Sequence, residues 1–198
     1  MAKNKRDSIV QAAYDLFREY GYDNSSMKMI AKQANVAQGH IYNFFDSKES
    51  LFDEALRMAH DSFWSQMTAA VQACYGAPPE AYIRKCADAI FENREEGNFI
   101  LLSALMPKLH NRSEPFLKVF SDGMTEMMRP LFPGVPDIFL YDIGNLLLAV
   151  SASLLIDGDR ERAVRTGVFA VNLYHNYLKD CDPNGGHDPI PSTRPATV

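Results

Sequence analysis

Cysteine is scarce in this chain: Cys74, Cys86 and Cys181 are three in 198 residues, an odd number without metal-site spacing. Such a set reads as isolated thiols in a reducing compartment, not as a disulfide framework. The five histidines (40, 60, 110, 175 and 187) are scattered, and no pair of them has metal-ligand spacing. There is no Gly-Xaa-Ser-Xaa-Gly elbow and no phosphate-cradling glycine loop. These absences argue against an enzyme and leave no cofactor or metal to expect. The most apolar run, Leu146 to Ile156, falls short of the roughly 20 residues that span a bilayer, so no membrane is expected. The opening MAKNKRDSIV enters a charged amphipathic helix without a signal-peptide pattern, which points to a cytoplasmic protein. Positive charge is in deficit too. With 20 Lys and Arg against 25 Asp and Glu, a net charge of -5 argues against a non-specific nucleic-acid binder.

What the chain does have is a composition able to build a core, 46% hydrophobic and 23% charged, in one domain or two. The charge is unevenly placed. Residues 1–48 carry seven Lys or Arg against five acids, while the remainder carries 13 against 20. A mildly basic head on an acidic body suits a protein that docks one end on phosphate.

The stretch from Ser25 to Lys48, SSMKMIAKQANVAQGHIYNFFDSK, reads as two short helices at a sharp angle and the cap of a third. Met27, Ile30, Ala31 and Ala34 lie at helical spacing behind Ser25 or Ser26 as N-cap. Asn35 stands where the helix end needs a left-handed residue. Val36 and Ile41 form the apolar corner, and Gln38-Gly39-His40 opens a second helix with polar, small side chains outward. That pattern predicts a helix-turn-helix whose second helix enters a DNA major groove. By helical geometry Gln38, His40 and Asn43 reach outward while Ile41 and Phe45 face in. Gln and Asn pair bidentately with adenine, and Gly39 lets the backbone approach the groove floor.

The ordered run Ile9, Ala12-Ala13, Leu16-Phe17, Gly21-Tyr22, Ser25-Ser26, Ile30-Ala31, Ala34, Val36, Gly39, Ile41-Tyr42, Phe45 and Ser47-Lys48-Glu49 resembles the signature of the TetR family of transcription regulators. It covers roughly the first quarter of the chain. The resemblance implies base contacts from Gln38, Gly39, His40 and Asn43, and phosphate contacts from Ser25, Ser26, Tyr42 and Lys48. Hydroxyl, phenol and ammonium groups at a helix N-terminus suit the second role, which carries no sequence information. Three positions depart from the pattern: Ala37 in place of a Ser or Thr cap, Met29 in place of an acid, and His40 in place of a small residue. Loss of the cap at Ala37 costs about 1 kcal/mol of helix stability.

The first helix is expected over Lys5 to Tyr20, with Ile9, Ala12, Ala13, Leu16, Phe17 and Tyr20 inward and Gly21 as its stop. A fourth, long helix is expected from an Asp46–Glu49 capping box to about Cys74, with Phe52, Leu56, Ala59, Phe63 and Met67 inward. Gly76-Ala77-Pro78-Pro79 breaks the chain. A helix follows over Pro79 to Glu96, closed by Gly97, then a short one over Phe99 to Met106, and another from Ser113 to about Arg129. Helices over Asp137 to Ile156 and Arg160 to Lys179 complete the body. The first of that pair is apolar nearly all round. Small residues Gly144, Ala149, Ser151, Ala152, Gly167 and Ala170 would let the two approach closely. One chain offers too little surface to cover both, so they are expected to meet their mates in a two-fold homodimer as a four-helix bundle.

The expected fold is therefore all-α, with a three-helix DNA-binding head at 1–48 and a helical effector-binding and dimerisation domain at 49–181. A Pro- and Gly-containing tail at 182–198 is expected to be disordered. Phe63, Trp64, Met67, Tyr82, Phe99, Met106, Phe120, Met124, Met128 and Tyr141 are candidates to line an apolar pocket for a small-molecule effector, since thioethers repack easily. Lys108, His110, Arg94 and Asn145 are candidate polar anchors. The function these features predict is a dimeric regulator, a repressor, on a palindromic double-stranded DNA operator. The alternative is a helical ligand- or partner-binding module whose head no longer reads DNA.

Overall fold

The structure is a computed structural model that describes residues 4–74, 76–106, 109, 118–119, 121–123, 125–132 and 135–180. Among the described residues every regular element is helical. The predicted tail at 182–198, together with Phe120, Met124, Lys108 and His110, lies outside them.

Helix α1 spans Lys5–Tyr20, capped by the Asn4 side chain, which accepts from the Arg6 amide at 3.3 Å. It ends at Gly21, whose φ of 79° is readily adopted only without a Cβ. Ile9, Ala12, Ala13, Leu16 and Phe17 are buried as their spacing predicts, joined by Val10 and Tyr14. Tyr20 is not on the inner face. It sits in the last turn at 46% exposure, because the head has already turned away there.

Helices α2 (Met27–Gln33) and α3 (Gln38–Ile41) form the corner, and Asn35 between them takes the left-handed conformation at φ 53°. Ser26, not Ser25, caps α2, accepting from the Met29 amide at 3.2 Å. Helix α3 has no side-chain cap, in keeping with Ala37 at that position. Ile41 and Phe45 are buried and fasten this polar segment to the head.

Helix α4 runs over Lys48–Gln72. Its capping box is built by Ser47 and Ser50, each hydroxyl serving the other's backbone amide, rather than by Asp46 and Glu49. The Glu49 carboxylate instead accepts from the Tyr22 hydroxyl at 2.9 Å. Two serines compete with the acid pair one register away, and both registers satisfy the capping pattern. All five predicted inner residues, from Phe52 to Met67, are buried. Burying each of the larger ones contributes about 1.5–3 kcal/mol.

Helix α5 (Pro79–Glu92) is shorter than its sequence suggests, and α6 starts directly at Arg94 and runs to Leu105. The break is at Asn93. Gly97 lies inside α6 and is buried, where a Cβ would meet Leu155 at 2.8 and 3.1 Å and Phe63 at 3.2 Å. Glycine therefore acts here as a close-packing residue and not as a stop. Residues described between 118 and 128 are helical, followed by a short 3-10 turn at Arg129–Leu131.

Helices α7 (Asp137–Asp157) and α8 (Arg160–Asp180) are joined through Gly158 at φ 70°. They pack on each other, and α5 lies against both. The small residues do not all serve the α7–α8 contact. Gly144 admits Thr125, whose backbone is 3.1 Å from where a Cβ would stand, and Gly167 admits Ile83 of α5. Ala149 faces out. Helix α7 is longer than its most apolar run: Leu140–Asp157, 18 residues at mean hydropathy 1.4, is long and apolar enough to cross a membrane. It is buried only in part, with Leu140, Leu147, Leu154 and Leu155 inward and Tyr141, Leu146 and Ile156 outward.

Candidate nucleic-acid interface

Helix α3 and the turn after it occupy one outer end of the head. Gln38, Gly39, Tyr42 and Asn43 are exposed, as is the cap residue Ser26 beside them. A Cβ on Gly39 would meet nothing within 4 Å, and the residue lies outside the left-handed region, so the fold itself does not require glycine there. His40 is half-buried, its ring edge-on to Phe44 at 5.5 Å and its Nδ1 3.5 Å from the Asn43 amide nitrogen. Those two side chains therefore act as one group on the helix surface.

Ser25 is in a different place from its neighbour. It is 3% exposed, and its hydroxyl lies 3.0 Å from the Leu16 carbonyl and 2.8 Å from that of Gly21. This side chain closes the α1–α2 turn from inside and presents nothing outward, which corrects its expected phosphate role. Lys48 is half-buried. Its ammonium donates to the Tyr22 carbonyl and stands 4.2 Å over the Tyr22 ring. Its charge is thereby fixed at the start of α4 on the head's surface.

The structure adds three residues to this face. Lys28 and Lys32, one turn apart on the exposed side of α2, make no ion pair among the described residues. Phe44 is 40% exposed at the end of the α3 turn. The lysine spacing is visible in sequence as an i, i+4 basic pair. Phe44 gives no such signal, since an aromatic next to Phe45 reads as core.

At the back of the head, Arg6 joins α1 to α4 through Glu54 at 2.6 Å and covers the Phe45 ring at 5.1 Å. The Arg57 guanidinium, and then Arg6, hold the Glu54 carboxyl below its usual range. The head meets the body through α6: Tyr14 and Phe52 contact the Phe99 ring at 5.1 and 5.8 Å, and Arg18 pairs with Glu95.

The ten candidate pocket residues do not share one cavity. Phe63, Met67 and Tyr82 are core, the Tyr82 hydroxyl donating to the Met127 carbonyl. Trp64 covers Gly123, where a Cβ would lie 2.4 Å from the ring. Tyr141 is 43% exposed on α7. Met128 lines a small apolar cavity of about 30 Å³ among α5, α7 and α8. Phe99 and Met106 line a larger one, about 310 Å³, between head and body. Of the described anchors, Arg94 lies over Phe91, and Asn145 accepts from the Ser121 hydroxyl at 2.8 Å.

Residues 9–55 match bacterial regulatory proteins of the tetR family. The uncharacterized HTH-type transcriptional regulator YhgD of Bacillus subtilis is 44% identical over 54 residues, 27% of this chain and 28% of that protein. The biofilm operon icaADBC negative transcriptional regulator IcaR of Staphylococcus aureus is 36% identical over 56 residues, 28% of this chain and 30% of that protein. The chain thus matches less than a third of the length of either relative. The likeness of fold extends further: a tetR-family regulator from Streptomyces coelicolor superposes with a TM-score of 0.69 at 18% identity, over 90% of this chain and 83% of that one. Residues 9–55 of this chain thus resemble the tetR-family helix-turn-helix, and the chain shares the fold of that solved regulator.

Proposed function

We propose that this chain is a TetR-like transcriptional regulator, a repressor, which binds a palindromic operator as a homodimer and is released by a small, largely apolar effector. The observation that carries the reading is α3: a polar segment anchored by buried Ile41 and Phe45, with Gln38, Gly39, Tyr42 and Asn43 turned to solvent. Among the described residues, the contact of Asn43 with His40 is the one side-chain hydrogen bond these groups make. Gln38 and Asn43 have the donor–acceptor chemistry that reads adenine, and Gly39 keeps the approach low. Ser26, Tyr42, Lys48 and the pair Lys28 and Lys32 supply phosphate contacts around them.

The organisation we infer is a DNA-binding head at 1–48 and an effector-binding and dimerisation body at 49–181. Two-fold symmetry follows from the outer faces of α7 and α8. Leu146 and Ile156 on one, and Phe169 and Leu173 on the other, are 46–74% exposed on a single chain. A second copy covers them, and this is also the better account of the apolar length of α7, which packs on neighbours along its other side. Recognition helices then meet successive major grooves about 34–36 Å apart.

Nuclease footprinting on the DNA upstream of the chain's own coding region tests this, with purified protein at low salt. A protected palindrome is expected, lost in Gln38→Ala and Tyr42→Ala while dimer mass is unchanged. Each bidentate base contact removed lowers affinity by about 10- to 100-fold. If the double variant binds the same DNA as well as the parent, the head does not read DNA through α3 and the proposal fails.

A further inference from the structure

One side chain on the polar end of the head is out of keeping with its neighbours. Phe44 is 40% exposed in the same short segment as exposed Gln38, Tyr42 and Asn43, while the adjacent Phe45 is buried. Its backbone is fixed, since the Phe44 and Phe45 amides both donate to the Ile41 carbonyl, at 2.9 and 3.0 Å. Its ring is held from one side, edge-on to His40 with centroids 5.5 Å apart and planes at 72°. His40 is committed to this bracing. Its Nδ1 stands 3.5 Å from the Asn43 amide nitrogen, and its Nε2 is shielded from solvent with no hydrogen-bond partner among the described residues. Neither ring nitrogen is both open and uncommitted.

We propose that Phe44 selects a thymine in each operator half-site through its 5-methyl group. His40 is then a positioning residue, which holds the Phe44 ring and the Asn43 carboxamide and does not itself read a base. This deepens the regulator reading and rests on it. The major groove presents base edges as hydrogen-bond donors and acceptors, and its apolar group is the thymine methyl. A phenyl ring carries no hydrogen-bonding group, so that methyl is what it has the chemistry to select. Phosphate oxygens offer such a ring nothing, and the lysines serve them. A ring already braced in the free protein also loses little rotamer freedom on docking. The segment 38–44 has no arginine or lysine to take guanine O6 and N7. With adenine chemistry at Gln38 and Asn43, the half-site under α3 is therefore rich in A·T pairs.

Selection of bound duplexes from a random pool by the full chain gives the operator. Each thymine of the half-site is then replaced in turn by deoxyuridine, which lacks the methyl group alone. At one position the replacement should lower affinity by about 4-fold, the worth of one buried methyl, and by about 15-fold when made in both half-sites. Phe44→Ala should bind the thymine and deoxyuridine duplexes alike, with a native melting curve because the site is exposed. Phe44→Leu, which keeps an apolar group, should retain part of the preference. His40→Ala should shrink the preference too. A parent chain indifferent to deoxyuridine overturns the assignment. So does a Phe44→Ala variant that keeps the parent's ratio, since a loss falling equally on both duplexes marks packing on the sugar–phosphate backbone. If His40→Ala weakens both duplexes by one factor, His40 is not a positioning residue. A selected half-site without thymine overturns the base assignment and leaves the regulator reading standing. No enriched sequence at all overturns both.

Discussion

Replacing Ser25 with Ala separates two roles that adjacent serines could share. In the structure the Ser25 hydroxyl is buried and faces the carbonyls of Leu16 and Gly21 at 3.0 and 2.8 Å. It closes the turn by which α2 leaves α1. Removing one such hydrogen bond costs about 0.5–1.5 kcal/mol, and a carbonyl left unsatisfied raises that toward about 1–3. We take about 1–2 kcal/mol. For a chain of this size each kcal/mol moves the melting temperature by about 2–4 °C, so a fall of about 2–8 °C is expected. Operator affinity, measured by fluorescence anisotropy well below the transition, should stay within about twofold, since a difference of 1.4 kcal/mol is needed for a tenfold change. Ser26→Ala is the control. It removes an exposed cap that accepts from the Met29 amide, which costs about 1 kcal/mol and also takes a hydroxyl from the proposed DNA-facing surface. If Ser25→Ala melts like the parent but loses operator affinity as Ser26→Ala does, the inward role assigned to Ser25 is wrong.

Three further outcomes can be measured. Phe169→Glu, at a residue 68% exposed on α8, should convert the proposed dimer to monomer in light scattering; an unchanged mass would remove α8 from the proposed interface. Burial pushes the Cys86 thiol up to about 12, so at pH 8 iodoacetamide should label half-buried Cys74 well before Cys86, read by peptide mass spectrometry. His60 is held below its ordinary value of 6.5, chiefly by burial and against the opposing carboxylate of Asp61. The unfolded chain therefore binds the proton more readily, so stability should fall as pH drops below about 6.5 and level off under the folded pKa. His60→Asn should flatten that part of the melting curve series; an identical pH slope in the variant would refute the assignment.

Residues that act over a few positions were legible in the sequence. The periodicity of Ile9 to Phe17 and of Phe52 to Met67 named the inner faces of α1 and α4, and Gly21 and Asn35 marked the ends of α1 and α2 by the backbone conformations they adopt. The tetR-like spacing from Ile9 to Glu49 named the head, and residues 9–55 match that family's model. Local rules failed where two local solutions compete or where the partner is distant in sequence. Ser47–Ser50 and Asp46–Glu49 satisfy the same capping rule one residue apart, and only Tyr22, which engages Glu49, breaks the tie. Gly97 reads as a stop until Leu155 and Phe63 are brought against it.

The candidate site divides along the same line. That Gln38, Gly39, Tyr42 and Asn43 face out follows from a helical period with Ile41 and Phe45 inward, so sequence alone determined it. That Ser25 turns in, Lys48 is tied to Tyr22 and Phe44 lies open depends on carbonyls and rings supplied by other segments, so tertiary structure decided it. The ligand residues show the limit most plainly. Methionines and aromatics announce burial, but which of them line a cleft depends on the gaps left between packed helices. Those gaps are a property of α1, α4 and α6 together that no single stretch encodes.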